Sequence, residues 1–207
     1  MVGLNSIITL REVFDAVFMS LILGFVFGDF LGRFAPRRRG RGYYSRFNLG
    51  LPYSYSHYGF DLEGFKFAVM LVAPAIILHE LAHKFVALSF GMQATFYAAY
   101  FWLFLALLLK AIKAPFIFFV PAFVSITGSG TYLQYSMIAV AGPLMNLLLY
   151  LISNFMARKL LVSGRKQELP FWLLSAKINL FLFIFNMLPI PGFDGFKFYY
   201  GLLRAIF

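Results

Sequence analysis

The segment FKFAVMLVAPAIILHELAHKFVALSF, residues 65–90, places two histidines and a glutamate inside a long apolar run. Side chains four positions apart lie on one face of an α-helix, so His79 and His83 can both reach one metal ion. Glu80 directly follows the first histidine, where a carboxylate can remove a proton from water at that metal. A charged residue costs roughly 2.5–3.5 kcal/mol at the centre of a membrane helix, so such residues indicate function.

The composition is typical of a multi-spanning membrane protein. Of the 207 residues, 61% are hydrophobic and only 13% are charged, and the mean hydropathy is +0.80. Because a membrane helix needs about 20 apolar residues, the chain has room for about five or six spans and no separate soluble domain. We therefore expect one integral-membrane domain, residues 1–207, in the plasma membrane, with its functional core around the histidine segment, at about residues 65–195.

Cysteine content and charge narrow the possible ligands and partners. The chain has no cysteine, so a metal must be held by His, Asp, Glu or backbone atoms. The formal net charge of +10 would suit nucleic acid, but the basic residues cluster in loops beside apolar segments, at residues 33–46 and 158–166. We therefore expect contact with the lipid bilayer and no nucleic-acid partner.

The hydropathy pattern predicts an all-α protein of about six transmembrane or re-entrant helices, with a short membrane-embedded β-strand or hairpin near the active site. Residues 116–126 favour a strand because β-branched and aromatic side chains alternate there, although a short helical hairpin fits equally well. Pro121 would make it an edge strand. The apolar run at residues 96–112 precedes it, and we expect a hairpin that turns near Lys113.

A catalytic zinc usually has three protein ligands and one position open to water, so the two histidines need a third. Asp194 is the candidate, since it follows a broken helix end at residues 186–195 where the backbone can aim a carboxylate inward. Its alternative role is to cap the final short helix. Asn186 can donate to a developing oxyanion or form an interhelical hydrogen bond. Asn146 has the same two roles open to it, and packing fits it better.

Three motifs occur in the order of a known family: HELAH at residues 79–83, GPLMN at residues 142–146 and NMLPIPGFDG at residues 186–195. Together they resemble the site-2 protease family of intramembrane zinc metalloproteases, and most of all its small archaeal members without a PDZ domain. The chain departs from that family at Phe193, where leucine is usual, and this position bears on packing rather than on ligation.

The resemblance implies that His79, His83 and Asp194 bind one zinc ion, that Glu80 is the catalytic base, and that Asn186 lies beside the scissile carbonyl. The residues with supporting roles are Gly142, Pro143 and Asn146. A membrane-embedded strand would receive unwound substrate. The substrate-binding residues are then Phe119, Val120, Pro121, Ala122, Phe123 and Val124.

The expected function is hydrolysis of peptide bonds within or near the transmembrane segments of protein substrates. Two alternatives remain open, a membrane zinc carrier and a non-catalytic membrane protein with a structural metal. A carrier needs further ligands along a path, and a structural site needs a fourth ligand. The sequence offers no obvious candidate for either.

The positions of the ligands within their spans predict helix direction. The histidines and Asp194 both lie toward the C-terminal ends of their apolar segments, so these two helices should run the same way. Both basic loops then lie on the side of the membrane opposite the site. The positive-inside rule assigns the side of the basic loops to the cytoplasm. The family resemblance implies the reverse orientation. Lys84, next to the second histidine, is expected to extend toward the nearer membrane interface, and His57 to lie exposed in a loop.

Overall fold

The structure is a computed structural model and describes residues 7–35, 60–114, 120–164 and 167–207. Six α-helices and a two-stranded antiparallel sheet form the described part of the chain. The helices are α1 (Leu10–Leu31), α2 (Leu62–Ser89), α3 (Tyr100–Ala111), α4 (Tyr132–Val162), α5 (Leu169–Asn186) and α6 (Asp194–Ile206), and the strands are β1 (Gln93–Ala98) and β2 (Ala122–Thr127). Phe119, His57, residues 36–46 of the first basic loop, Arg165 and Lys166 lie outside the described residues.

Four of these helices, α1, α2, α4 and α5, are long and apolar enough to cross a membrane. The other two have 12 and 13 residues, which is short of the roughly 20 that a helical span needs. The expected helical architecture with a small strand element is present, but the described residues contain four candidate spans rather than six. The first begins at Leu10, where Thr9 and Glu12 form a capping box.

The apolar run at residues 96–112 is divided between a strand and a helix. Residues 93–98 form β1, and the helix α3 begins only at Tyr100. The second half of the strand predicted at residues 116–126 is confirmed as β2, so a helical hairpin is excluded there, while residues 116–119 lie outside the described residues. Just before β2, Ala99 N–H donates to the Pro121 carbonyl at 3.0 Å. A turn with φ of +53° does occur at Lys113, but it ends α3 instead of joining two spans.

Contacts between α2 and α5 show that the two helices run in the same direction, as the sequence predicted. Near their N-termini, the rings of Phe67 and Phe171 meet edge to face with centroids 6.1 Å apart. Two turns further along both helices, the Asn146 amide donates to the Ala75 carbonyl and to Asn179 Oδ1, each at 3.0 Å. The C-terminal halves of α2 and α5 therefore reach the same end of the molecule.

Glycines allow α1 to lie directly against the start of α2. Glycine recurs at every fourth residue along α1 and the short 3₁₀-helix that follows it (Gly32–Phe34). Gly24, Gly28 and Gly32 therefore share one face. A Cβ at Gly32 would lie 2.6 Å from the Cα of Gly64, and one at Gly28 would lie 3.3 Å from the Cα of Phe65. Small residues at this spacing permit close helix approach in membranes.

Candidate metal centre

His79, His83 and Asp194 meet at one point. The two Nε2 atoms are 3.1 Å apart, and Asp194 Oδ2 lies 3.1 Å from the first and 3.2 Å from the second. Ligands bound tetrahedrally to zinc at 2.0–2.2 Å are about 3.3–3.6 Å from one another, so these spacings lie a few tenths of an ångström below those around a shared ion. Both histidines are buried, which keeps competing water from most of their surface. We refer to these three residues as the metal-ligand cluster.

Hydrogen bonds on the side of each imidazole away from the centre show which ring nitrogen carries the proton. His79 Nδ1 donates to Asn146 Oδ1 at 2.6 Å, and His83 Nδ1 donates to the Ile138 carbonyl at 2.7 Å. An oxygen of this kind only accepts, so each Nδ1 carries the proton and each Nε2 presents a lone pair. Two lone pairs and the Asp194 carboxylate therefore converge with no donor among them, and a cation fits this arrangement.

Asn146 is oriented by a chain of hydrogen bonds that ends at the backbone. Its amide nitrogen donates to the Ala75 carbonyl and to Asn179 Oδ1 at 3.0 Å, which leaves its oxygen facing His79. Asn179 is fixed in turn by donating to the Ser175 carbonyl at 2.9 Å. The interhelical packing role favoured for Asn146 is confirmed, since its amide joins α4 to α2 and α5, and its oxygen also accepts from His79. Sequence analysis missed Asn179, although a lone amide in an apolar span is itself a signal.

Gly142 and Pro143 make room for the metal-ligand cluster on α4. A Cβ at Gly142 would lie 2.6 Å from His79 Nε2 and 2.7 Å from His83 Cε1, inside the space between the ligands. Pro143 has no N–H, so it leaves the carbonyl of Ala139 without its helical donor. That opening lies next to Ile138, whose carbonyl binds His83. The motif therefore contributes space as well as an orienting amide.

The chain reaches Asp194 through a turn after α5, in which Gly192 has a φ of +100°. Phe193 packs its ring on Phe185 with centroids 4.6 Å apart. Asp194 is the first residue of α6, and the N-cap position before it is occupied by Phe193. The capping role considered for this aspartate is therefore wrong.

A cavity of about 910 Å³ opens beside the metal-ligand cluster. Glu80 lines it and is half-buried, and among the described residues no hydrogen bond or ion pair engages its carboxylate. Asn186 also lines the cavity, but its amide donates to the Leu182 carbonyl at 3.0 Å and does not contact the ligands. Of the residues predicted to bind substrate, those in the cavity wall are Val120, Pro121, Ala122, Phe123 and Val124.

The outer edge of β2 faces this cavity. In the antiparallel pair, Tyr97 lies opposite Phe123 and Phe96 opposite Val124, and backbone groups of alternate residues point toward the partner strand. The bond from Ala99 to Pro121 extends that ladder through the odd-numbered residues. The backbone groups of the even-numbered residues of β2 therefore point away from β1 and remain available on the cavity side.

The outer edge of β1 is occupied by α1. Glu12 Oε1 accepts from the N–H of Phe96 at 2.7 Å, and Asp15 Oδ2 accepts from the N–H of Ala98 at 3.2 Å. Lys84 pairs with Glu12, and the two residues are only 2% and 4% exposed. The prediction that Lys84 extends to the membrane interface is therefore wrong, because its partner lies buried 72 positions earlier in the chain. We refer to Glu12, Asp15 and Lys84 as the anchor cluster.

Comparison with curated proteins gives one relative. A protein of Methanocaldococcus jannaschii that carries the name "Putative zinc metalloprotease" is 35% identical over 154 residues, which cover 72% of this chain and 77% of the relative. No family model matches the chain, and no solved structure matches it.

Proposed function

This chain belongs to the zinc metalloprotease family of its M. jannaschii relative, and on that premise we propose that it is an intramembrane endopeptidase of the site-2 protease type. It would cleave peptide bonds within or near transmembrane segments of membrane proteins, from a multi-pass position in the plasma membrane. The convergence of three acceptor ligands beside a cavity that also contains Glu80 carries this proposal.

The reaction divides between the metal and the residues around it. His79, His83 and Asp194 would hold one zinc ion, which when bound acts as a Lewis acid on water and on the scissile carbonyl. Glu80 accepts a proton as the water oxygen bonds to the carbonyl carbon, and it returns that proton to the amine nitrogen as the C–N bond breaks. Asn186 donates to the developing oxyanion once its amide leaves the helix carbonyl it now contacts.

Substrate would be presented as an added strand. A transmembrane helix hides its carbonyls in internal hydrogen bonds, so a segment must unwind before water can attack. The outer edge of β2 offers backbone partners to such a segment, and it lies in the same cavity as His79 and Glu80. Residues of α1 occupy the opposite edge of the sheet, which leaves one edge for the substrate.

Replacing Glu80 by glutamine tests the assignment of the base. We expect Glu80→Gln to retain zinc and to lower cleavage of a membrane-spanning test substrate by about 10²–10⁴-fold, the usual contribution of general acid–base catalysis. Glu63→Gln is the matched control, because Glu63 is an exposed residue in the first turn of the same helix. Full cleavage by Glu80→Gln, with zinc content measured in the same samples, would exclude this glutamate as the base.

A zinc carrier remains the second candidate from the sequence, but no observation favours it. Within the part of the chain that the structure describes, one group of three potential ligands is present, whereas transport needs a path of sites. Measuring zinc entry into sealed vesicles distinguishes the two functions. Flux that survives Glu80→Gln would favour the carrier, and cleavage without flux would favour the protease.

A further inference from the structure

Helix α5 carries a single charged residue, Lys177, near its midpoint. Its side chain lines the cavity that contains the metal-ligand cluster, on the same stripe of α5 as Leu174 and Phe181. Among the described residues nothing forms an ion pair with it, whereas Lys197, another cation of the cavity wall, lies 3.6 Å from Asp194. A cation at the middle of a membrane span is costly and marks a functional contact by default.

The depth of Lys177 relative to the metal ligands follows from the contacts between α2 and α5. Ala75 lies level with Asn179, because both accept hydrogen bonds from Asn146. Eight residues earlier on each helix, the rings of Phe67 and Phe171 are in contact, so the helices keep the same alignment. Lys177 is therefore level with Ala73, which precedes His79 by six residues and the second histidine by ten. At 1.5 Å per residue, Lys177 lies about 9–15 Å along the helix axis from the metal-ligand cluster.

The Lys177 side chain cannot reach the N-terminal end of α5. The helix begins at Leu169, eight residues earlier and about 12 Å away along the axis, which is farther than a lysine side chain extends. On α1, the wall of the same cavity includes the apolar residues Leu23 and Phe27. Lys177 is exposed to the cavity, so a ligand that enters the cavity can pair with this charge.

We propose that Lys177 forms a subsite for an acidic side chain of the substrate segment, about four residues from the scissile bond. The spacing follows because an extended chain advances about 3.3 Å per residue, so 9–15 Å corresponds to roughly three to five residues. This inference rests on the proposed endopeptidase function. Pairing with an Asp or Glu of the substrate satisfies both charges in an apolar cleft, and it selects segments that carry the acid at one position.

The test uses a set of single-span segments of leucine and alanine with one central glycine pair, which differ only in the position of a single Asp. The full chain and each segment are reconstituted in liposomes, and kcat/KM and the cut site are measured. We expect an Asp about four residues from the cut to raise kcat/KM roughly tenfold over the segment without Asp, the effect of one close charge pair.

Charge reversal identifies the residue responsible. Lys177→Glu should reverse the preference, so that a segment with Lys at that position is cleaved faster than one with Asp, and Lys177→Met should bring the ratio close to one. Lys159→Glu makes the same charge change on an exposed site of α4 outside the cavity, and it should leave the ratio unchanged. An Asp preference that is absent, or that persists in Lys177→Glu, overturns the proposal.

A binding measurement separates the subsite from the catalytic proposal. The Glu80→Gln variant in nanodiscs is titrated with the same segments carrying a fluorophore. The ratio of Kd values with and without Asp is compared between this variant and the double variant that also carries Lys177→Glu. If no segment is cleaved but the Asp preference in binding depends on Lys177, the endopeptidase function fails and the subsite stands. If binding shows no such dependence, the subsite is wrong.

Discussion

The metal-ligand cluster and the anchor cluster flank the same part of α2 and solve the problem of buried charge in opposite ways. His83 and Lys84 are consecutive in sequence but point about 100° apart around the helix. Around His83, lone pairs and a carboxylate converge without a donor. Around Lys84, the chain supplies its own cation to Glu12 and adds a backbone N–H.

The difference teaches that buried carboxylates have different uses depending on where the countercharge comes from. In the anchor cluster Lys84 neutralises Glu12, and the N–H of Ala98 and the hydroxyl of Tyr100 donate to Asp15, so the cluster can hold β1 against α1 without a ligand. In the metal-ligand cluster two imidazole nitrogens and a carboxylate converge on one point, so these three residues could bind a metal ion. The first arrangement suits a fixed support for the sheet, and the second suits a centre where chemistry takes place.

The largest effect is expected when the internal balance of the anchor cluster is broken. Lys84→Met leaves Glu12 buried without its cation, so we expect a loss of about 3–5 kcal/mol in the free energy of unfolding. Thermal unfolding in detergent measures it. Adding Glu12→Gln to Lys84→Met should restore part of the loss. A Lys84→Met protein as stable as the wild type would mean that this pair contributes little.

Filling the space of the metal-ligand cluster should have the next largest effect. Gly142→Ala places a methyl group between the ligands, so we expect zinc affinity to fall by more than about 100-fold, the upper end of what loss of a supporting contact costs. Zinc content and competition with a chelator measure the change. Leu144→Ala is the control, because Leu144 is half exposed on the same helix. Wild-type affinity in Gly142→Ala would show that the ion lies elsewhere.

Loosening one ligand, rather than displacing it, should have a smaller effect. Asn146→Ala removes the acceptor that holds His79 and leaves the Ala75 carbonyl and Asn179 without that donor. We expect zinc affinity to fall by about 10–100-fold, as for other groups that orient metal-binding histidines. Asn154→Ala provides the comparison, because its amide contacts only a carbonyl of its own helix. Equal affinities for the two variants would contradict an orienting role for Asn146.

Much of the metal-ligand cluster was predictable because it depends on local geometry. Two histidines four residues apart on a helix share a face wherever that helix lies, and the apolar surroundings of Glu80 indicated function. The broken helix end before Asp194 also follows from its prolines and glycines. The strand β2 was predicted for a similar reason, since β-branched and aromatic residues occur together there.

Other features depend on partners that no local pattern specifies. β1 looked like the start of an apolar helix, and its strand conformation depends on pairing with β2 and on the carboxylates of α1. Lys84 looked like a residue that reaches the interface, because the sequence does not show that Glu12 is buried beside it. Six spans are not confirmed among the described residues, because the apolar run at residues 96–112 contains the end of a strand and one short helix.

The sequence by itself determined that apolar helices dominate, that His79 and His83 share a helix face, and that a carboxylate follows a broken helix. These properties arise from hydropathy, the 3.6-residue period and the stereochemistry of proline and glycine. Only the tertiary structure decided that Asn146 and Ile138 orient the two imidazoles, that Lys84 neutralises Glu12, and that one edge of the sheet remains open. Those contacts join residues 55 to 72 positions apart, so they exist only when packing brings the helices together.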